Sequence, residues 1–172
     1  MLKKKIMTET EVEISRATEA DLDGIMDLQA ANQPEHGGKL SANLPRSRIV
    51  GMMQDMPLIV ARRGSCIIGY LMTSTRRINA DVPIIRAMLT AYPGAADAYV
   101  YGPICVDAAN RGKGLAQAMF MEMQRLEPVR EGILFIRRDN PASLRAHAKM
   151  GMRETASFVF GGIDFVVFST RA

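Results

Sequence analysis

Cysteine is scarce in this sequence of 172 residues, which contains only Cys66 and Cys105. Neither belongs to a CxxC pair or lies near a histidine-rich tract, so the usual residue set of a structural metal site is missing. The lysines near the start are followed by Thr8, Glu9 and further glutamates rather than by an apolar segment, which is not the pattern of an export signal. We therefore expect no metal and no disulfide, and two small buried hydrophobic side chains at these cysteines.

Long apolar runs and aromatic residues are scarce as well. No apolar run approaches the roughly 20 residues that cross a bilayer, so we expect no membrane partner and a cytoplasmic location. Aromatic residues make up 6% of the chain and do not interleave with basic residues, as they do in many proteins that bind single-stranded nucleic acid. The net charge of +4 is the only support for a nucleic-acid partner, and a phosphate-rich cofactor explains it equally well. We expect no nucleic acid.

The length predicts a single domain, 1–172, with a frayed start over residues 1–10. Thr18, followed by Asp21, has the pattern of a helix N-cap, and Pro141 suits the first residue of a helix. Hydrophobic periodicity predicts strands at 12–15, 58–61, 66–73, 99–106, 133–137, 158–160 and 165–168. It predicts helices at 18–31, at 41–53 with a break at Pro45, from a cap at Asp81 to a stop at Pro93, at 115–126 and at 140–150.

This order predicts an α/β (α+β) fold, a mixed sheet with helices on both faces. The unit 99–137 should form a parallel, right-handed strand–helix–strand crossover. Pro103 has no N–H to give to a neighbouring strand, so we expect the strand 99–106 to be interrupted or bulged near its middle. The last hairpin turns at Gly161 and Gly162 and leaves an edge strand, through which a homodimer is possible.

A glycine-rich turn follows the strand 99–106 and leads directly into a helix. Gly112 and Gly114 let backbone N–H groups close around an anion, and the helix N-terminus adds its own free N–H groups. Arg111 and Lys113 supply positive charge. The turn suits a phosphate, although it is neither a P-loop nor the dinucleotide fingerprint. A tight turn without a ligand is the alternative reading of these residues alone.

Two motifs at a fixed spacing resemble those of the GCN5-related N-acetyltransferases (GNAT). Arg111, Gly114 and Ala116 match the family's [Q/R]-x-x-G-x-[G/A] turn. Asn140, Ser143, His147 and Gly151 match most of its N-x-x-[A/S]-x-x-x-[Y/H]-x-x-x-G-F helix, although Met152 stands in the place of the phenylalanine and a histidine in that of the usual tyrosine. The core match covers 99–152, and the order of the flanking elements fits over nearly the whole chain.

The resemblance implies a sheet that splays at its centre and a site for acetyl-CoA as co-substrate, without a metal. The pantetheine arm would lie between two parted strands and pair with backbone groups of Cys105 and Val106, while the N–H near Ile104 would stabilise the oxyanion. The residues implied for the pyrophosphate are Arg111, Gly112, Lys113, Gly114, Leu115 and Ala116. Asn140 and Ser143 would add hydrogen bonds, and His147 would protonate the departing thiolate.

The residue that deprotonates the attacking amine stays open at the sequence level. Candidates are Glu35, His36, Asp97 and Asp164, or water. Tyr99 and Tyr101 could line the acceptor pocket together with Glu35 and His36. A ping-pong enzyme with Cys105 as nucleophile and His147 as base is a further alternative.

The sequence thus predicts an N-acetyltransferase that passes an acetyl group from acetyl-CoA directly to an amine. The acceptor, a small molecule or a peptide, cannot be identified from the sequence. The alternative is a protein of the same fold that binds acyl-CoA as a sensor without turnover, which the missing tyrosine and the lack of an obvious base would favour.

Overall fold

The computed structural model describes residues 11–171. It contains seven strands: β1 Val12–Arg16, β2 Ile59–Arg63, β3 Cys66–Ser74, β4 Tyr99–Val106, β5 Gly132–Arg137, β6 Arg153–Phe160 and β7 Ile163–Ser169. It contains five α-helices: α1 Leu22–Ala31, α2 Arg46–Asp55, α3 Pro83–Ala91, α4 Leu115–Leu126 and α5 Pro141–Lys149. The frayed start predicted for residues 1–10 lies outside the described part.

All seven strands form one mixed sheet in the order β1-β2-β3-β4-β5-β7-β6. The strands β4 and β5 are parallel, as the crossover predicted, and the other neighbours are antiparallel. The last strand, β7, lies between β5 and β6, so β6 is the edge strand of the final hairpin. The predicted homodimer through this edge stays a prediction.

Helices cover both faces of the sheet, because successive side chains of a strand point to opposite sides. In β3, Leu71 packs in a core cluster with Met119 and Met123 of α4. Its neighbour Met72 packs with Ile25 of α1 and with residues of α2. In β4 and β5, Val100 and Ile133 pack with Met88 of α3 on the face opposite α4. The predicted mixed sheet with helices on both faces is confirmed.

Turn and cap residues define the ends of the helices, with two differences from the sequence prediction. The backbone N–H of Thr18 donates to the carboxylate of Asp21 at 2.7 Å, as a capping box requires, before α1 begins. The second helix begins only after Pro45, which is its N-cap in extended conformation. Asp81 does not cap α3: Val82 is the N-cap and Pro83 the first residue, where the missing N–H costs nothing.

The expectation of two buried cysteines is wrong for one of them. Cys105 is buried, whereas Cys66 is exposed at the start of β3, directly after the turn that joins β2 to β3. None of the helices within residues 11–171 is long and apolar enough to cross a bilayer.

Candidate active site

The centre of the sheet opens between two parallel strands. β4 and β5 pair only at Tyr99 with Gly132 and at Val100 with Ile133. One residue after Tyr101 the chain reaches Gly102 and Pro103, which are joined by a cis peptide bond, and Pro103 has no N–H to donate. β4 remains paired with β3 on its other side through Val106, so its edge towards β5 is left without a strand partner. β4 itself runs without a break from Tyr99 to Val106, and its pairing with β3 shifts register between Leu71 and Thr73, opposite Gly102 and Pro103. Of the two outcomes that Pro103 predicted, the bulge is confirmed and the interruption is not.

A cleft of about 1180 Å³ lies at this opening. Its volume exceeds the roughly 300–1,000 Å³ of a pocket for one small ligand, so the cleft has room for two reactants. Its inner side is formed by Tyr101 and Ile104 of β4, by Leu134 and Ile136 of β5, and by Asn140, Ser143 and His147 of α5. Its outer side is formed by the loop between α1 and α2, by the start of α3, by Phe135 of β5, and by the hairpin of β6 and β7.

The glycine-rich turn begins α4 beside the end of β4. Gly112 and Gly114 have φ angles of 73° and 77°, in the left-handed region that other residues rarely adopt. Gly114 is the N-cap of α4, and a Cβ at either glycine would meet nothing within 4 Å. The first backbone hydrogen bond of this helix is donated by the N–H of Ala118 to the Gly114 carbonyl, at 3.0 Å. The N–H groups of Leu115 and Ala116 therefore lie at an open helix N-terminus, which suits an anion.

The Arg111 side chain ties this turn to two other elements. Its Nε donates to the Val106 carbonyl at 3.2 Å, and its guanidinium donates to Oδ1 of Asn32, at the end of α1, at 2.7 Å. Both Arg111 and Lys113 are exposed. Arg111 thus keeps its positive charge at the turn while it holds the turn against α1 and β4.

Helix α5 presents one face to the cleft, with Asn140, Ser143 and His147. Asn140 caps the helix by accepting a hydrogen bond from the Ser143 N–H at 3.3 Å. Nδ1 of His147 lies 2.8 Å from the Ser143 carbonyl one turn earlier, and 3.3 Å from the Ser143 hydroxyl. Because a carbonyl oxygen can only accept a hydrogen bond, this short contact means that Nδ1 carries the proton. Nε2 of the neutral ring then holds a lone pair.

Two buried polar atoms at the inner side of the cleft have no protein partner among residues 11–171. They are Nε2 of His147 and the hydroxyl of Tyr101, each on a side chain that is only 3% exposed. The two rings pack edge to face with centroids 5.6 Å apart. Burial lowers the pKa of His147, and the hydrogen bond to Ser143 offsets this in part. Burial raises the pKa of Tyr101 well above its ordinary value. Both groups are therefore neutral near pH 7, and unpaired polar atoms at such depth are typical of functional sites.

The ping-pong alternative is wrong. Cys105 packs on the face of the sheet that α1 and α2 cover, whereas His147 is on α5 and packs against Tyr101, which belongs to the cluster on the α4 face. Burial raises the pKa of Cys105 to about 11, so the nucleophilic thiolate is a minor species near pH 7. A Cys105–His147 pair is therefore not assembled.

The structure brings only some of the predicted pocket residues to the cleft. Glu35 and Tyr101 line it, whereas His36, Asp97 and Asp164 are exposed elsewhere on the surface. Tyr99 also lies outside the cleft, because β4 is still paired with β5 at this residue. Its ring packs against Gly132 under the guanidinium of Arg130, and burial raises its pKa to about 12. The prediction of Tyr99 as a pocket residue is wrong.

Sequence reasoning missed the apolar residues of the outer side. Phe135, Phe160, Ile163 and Phe165 line the cleft there. The hydrophobic pattern places the phenylalanines in strands without showing what they face, and their concentration in β5 and in the last hairpin is the signal that could have found them. Within the described part of the chain, no group of three or more histidine, cysteine or acidic side chains has the arrangement of a metal site.

The chain resembles known proteins in structure but not in sequence. No protein-family model matches the chain, and no curated protein matches it by sequence. Solved structures do match. A proposed acetyltransferase from Salmonella typhimurium, with its cofactor acetyl-CoA, is 17% identical with a TM-score of 0.67, and the match covers 93% of each chain. A GNAT-family acetyltransferase from Streptococcus agalactiae is 15% identical with a TM-score of 0.70, over 92% of this chain and 94% of the other.

A third match is the ribosomal-protein-S18-alanine N-acetyltransferase from Escherichia coli. It is 13% identical with a TM-score of 0.66, and 92% of each chain is covered. The chain has the GNAT fold. The resemblance inferred from the two motifs is confirmed at the level of the fold. At these identities the likeness extends to the fold alone, so the activity of this GNAT-fold chain has to be argued from its own residues.

Proposed function

We propose that the chain is an N-acetyltransferase that transfers the acetyl group of acetyl-CoA directly to an amine, with 1–172 acting as one domain. The observation that carries the proposal is the parted pair β4 and β5, placed directly before the open N-terminus of α4. An extended arm with amides fits an unpaired strand edge, and a pyrophosphate fits free N–H groups beside Arg111 and Lys113. The neighbours with the same fold, one of them with acetyl-CoA, support this assignment.

The cofactor residues follow from this placement. Backbone groups of Ile104, Cys105 and Val106 would face the pantetheine arm along the free edge of β4. The turn residues Gly112, Lys113, Gly114, Leu115 and Ala116, with Arg111, would hold the pyrophosphate. Asn140 and Ser143 stand at the inner side of the cleft, where their free polar atoms would bind the arm.

We assign the proton transfers to His147. The amine must lose one proton when it attacks the thioester carbon, and the sulfur must gain one when the C–S bond breaks. With Nδ1 bound to the Ser143 carbonyl, Nε2 can accept the proton from the amine and then return it to the thiolate. No net proton is left on the protein. This order keeps His147 as the acid and supplies a base. Of the four residues that the sequence offered as the base, Glu35 lines the cleft and the other three do not.

The experiment is a calorimetric titration of the full chain with acetyl-CoA, beside NAD and ATP as controls. Saturable binding of acetyl-CoA alone supports the proposal, and absence of binding rejects it. Release of CoA should then be followed by chromatography with a panel of amines, because the exposed Cys66 would itself consume a thiol reagent.

The scarcity of bases at the cleft favours one alternative, a protein that binds acyl-CoA without turnover. Binding of acetyl-CoA with no release of CoA, under any amine tested, would select this sensor over the enzyme. Neither nucleic acid nor a membrane takes part in the proposal.

A further inference from the structure

The outer side of the cleft carries an aromatic wall, which we define as Phe135, Phe160, Ile163 and Phe165. Phe135 packs in the cluster of Met88 and Val100, on the α3 face of the sheet. The wall is thus separated from His147 and Tyr101 by the plane of the sheet, and the opening between β4 and β5 connects the two sides. A second reactant on this side could reach the same opening.

The rings of the wall are held rigidly from behind. Phe158 stacks on Phe165 with centroids 5.2 Å apart, and Phe135 meets both rings edge on, at 6.1 Å and 5.4 Å. Phe160, at the tip of the hairpin, is 37% exposed and lines the cleft. A preformed set of rings that faces a concave space is the usual lining of a site for an apolar ligand.

Apolar side chains also occupy the other sides of this space. Leu40 and Leu44 approach from the loop between α1 and α2, with Met52 of α2 behind them. Val82 and Ile85 close the end at the start of α3. The body of a ligand placed here would therefore be surrounded by hydrocarbon on three sides.

The charges that line the cleft do not suit a polycation. Among residues 11–171, two carboxylates line the cleft, Glu35 and Asp139, against the cations Lys39, Arg48 and Arg137. Both oxygens of Asp139 already accept from the Arg137 guanidinium, at 2.8 Å and 2.7 Å. One carboxylate therefore remains for an incoming ammonium, whereas a polyamine or an aminoglycoside needs several.

We infer that the acceptor is a primary amine attached to an aromatic or bulky apolar body, with no second positive charge. The inference rests on the proposed function and names its substrate class. The wall would bind the body, and the amine would point through the opening towards the thioester. Apolar surroundings disfavour the ammonium form, so the same wall favours the neutral amine that can attack.

The first test measures CoA release from acetyl-CoA with 2-phenylethylamine, ethylamine and spermidine as acceptors. We expect kcat/KM for 2-phenylethylamine to exceed that for ethylamine by about tenfold or more, since the ring is removed from water. Spermidine should be the poorest of the three. Equal rates for 2-phenylethylamine and ethylamine, or a preference for spermidine, would overturn the inference while the proposed function stands.

The second test changes the wall at its exposed tip. Phe160→Ser should reduce kcat/KM for 2-phenylethylamine about tenfold, and by a larger factor than it reduces kcat/KM for ethylamine. Val159→Ser is the matched control, because Val159 is the neighbouring residue, is 65% exposed and does not line the cleft. An equal loss in both variants would overturn the inference.

A third measurement distinguishes the proposed acceptor class from the proposed acetyl transfer, and binding of the amine from binding of the acyl-CoA. Binding of 2-phenylethylamine to the full chain, followed by ligand-detected NMR, needs no acetyl-CoA. Weaker binding in Phe160→Ser than in Val159→Ser supports the aromatic wall even if acetyl-CoA fails to bind. If Phe160→Ser instead weakens hexanoyl-CoA relative to acetyl-CoA and leaves the amine unaffected, the wall holds an acyl chain and the inference is wrong.

Discussion

The imidazole of His147 is oriented by a backbone carbonyl of its own helix, since its Nδ1 lies 2.8 Å from the oxygen of Ser143. A backbone carbonyl cannot donate, so this contact determines the tautomer. Nε2 of His147 and the hydroxyl of Tyr101, whose rings pack edge to face with centroids 5.6 Å apart, have no partner among residues 11–171. For direct transfer the resemblance implied His147 only as the acid, and the lone pair on Nε2 makes it a candidate base as well.

We predict that His147 is neutral at pH 7, with its proton on Nδ1 and a pKa below the ordinary 6.5. Burial disfavours the charged ring more than the Ser143 carbonyl favours it. Long-range ¹⁵N NMR spectra should show this directly, because the chain has only two histidines and His36→Gln assigns them. A proton on Nε2, or a pKa at or above 6.5, would contradict the assigned tautomer and charge.

Replacement of His147 should affect turnover more than cofactor affinity. His147→Phe removes the proton carrier, and we expect kcat to fall about 10²-fold or more while the Kd for acetyl-CoA changes little. The same substitution at His36, which is exposed and outside the cleft, is the control. An unchanged kcat in His147→Phe would remove this residue from the mechanism.

Gly114→Glu should abolish binding of acetyl-CoA. The new side chain would enter the open space at the N-terminus of α4 and place a negative charge where a pyrophosphate is expected. Gly64→Glu is the matched control, since Gly64 also has a positive φ, of 58°, and also faces open space, but lies in the turn between β2 and β3. Calorimetry should find the parent affinity in the control, and equal losses in both would mean that strain rather than charge is responsible.

The two cysteines should differ in reactivity, and neither should be needed for turnover. In the native protein a thiol reagent should modify the exposed Cys66, and Cys105 only after unfolding, because Cys105 is buried and its pKa is raised to about 11. Peptide mapping after labelling shows which of the two cysteines is modified first. Cys105→Ala should retain acetyl transfer, whereas loss of activity in a folded variant would restore a covalent route.

The fold was largely predictable from local signals, whereas the acceptor side of the cleft was not. Pro103 and the glycine turn each act through backbone geometry that the residue type itself dictates, so the irregularity in β4 and the start of α4 followed from the sequence. The opening between β4 and β5 was implied by the resemblance to the GNAT family. Phe135 and Phe165 come together only because β7 lies between β5 and β6, which no local pattern specifies.

The difference between Tyr99 and Tyr101 has the same origin. Both side chains belong to the cluster on the α4 face, two residues apart on β4. The pairing of β4 with β5 ends at Val100, so Tyr99 is covered and Tyr101 reaches the cleft. The residue at which β4 and β5 separate depends on how the two strands pair, so the sequence of either strand alone does not show it.

The pair of Asp21 with Arg62 should stabilise the fold in a pH-dependent way. The Arg62 side chain donates to both oxygens of Asp21, at 2.7 Å and 2.5 Å, and lowers the pKa of this carboxyl below 3.8. We expect Asp21→Asn to reduce the free energy of unfolding by about 2 kcal/mol at pH 7. Asp23→Asn, at a surface pair with Arg46 in which the aspartate is 85% exposed, should cost less than about 0.5 kcal/mol.

The pH dependence of this effect has a definite sign. Because the pKa of Asp21 is lower in the folded than in the unfolded state, its stabilisation is complete above about pH 3.8 and declines as the pH falls towards the folded pKa. Denaturant unfolding at several pH values should therefore find the gap between parent and Asp21→Asn narrowing below about pH 4. A gap of the same size at pH 7 and pH 3 would show that Asp21 acts through packing or the α1 cap rather than through its charge.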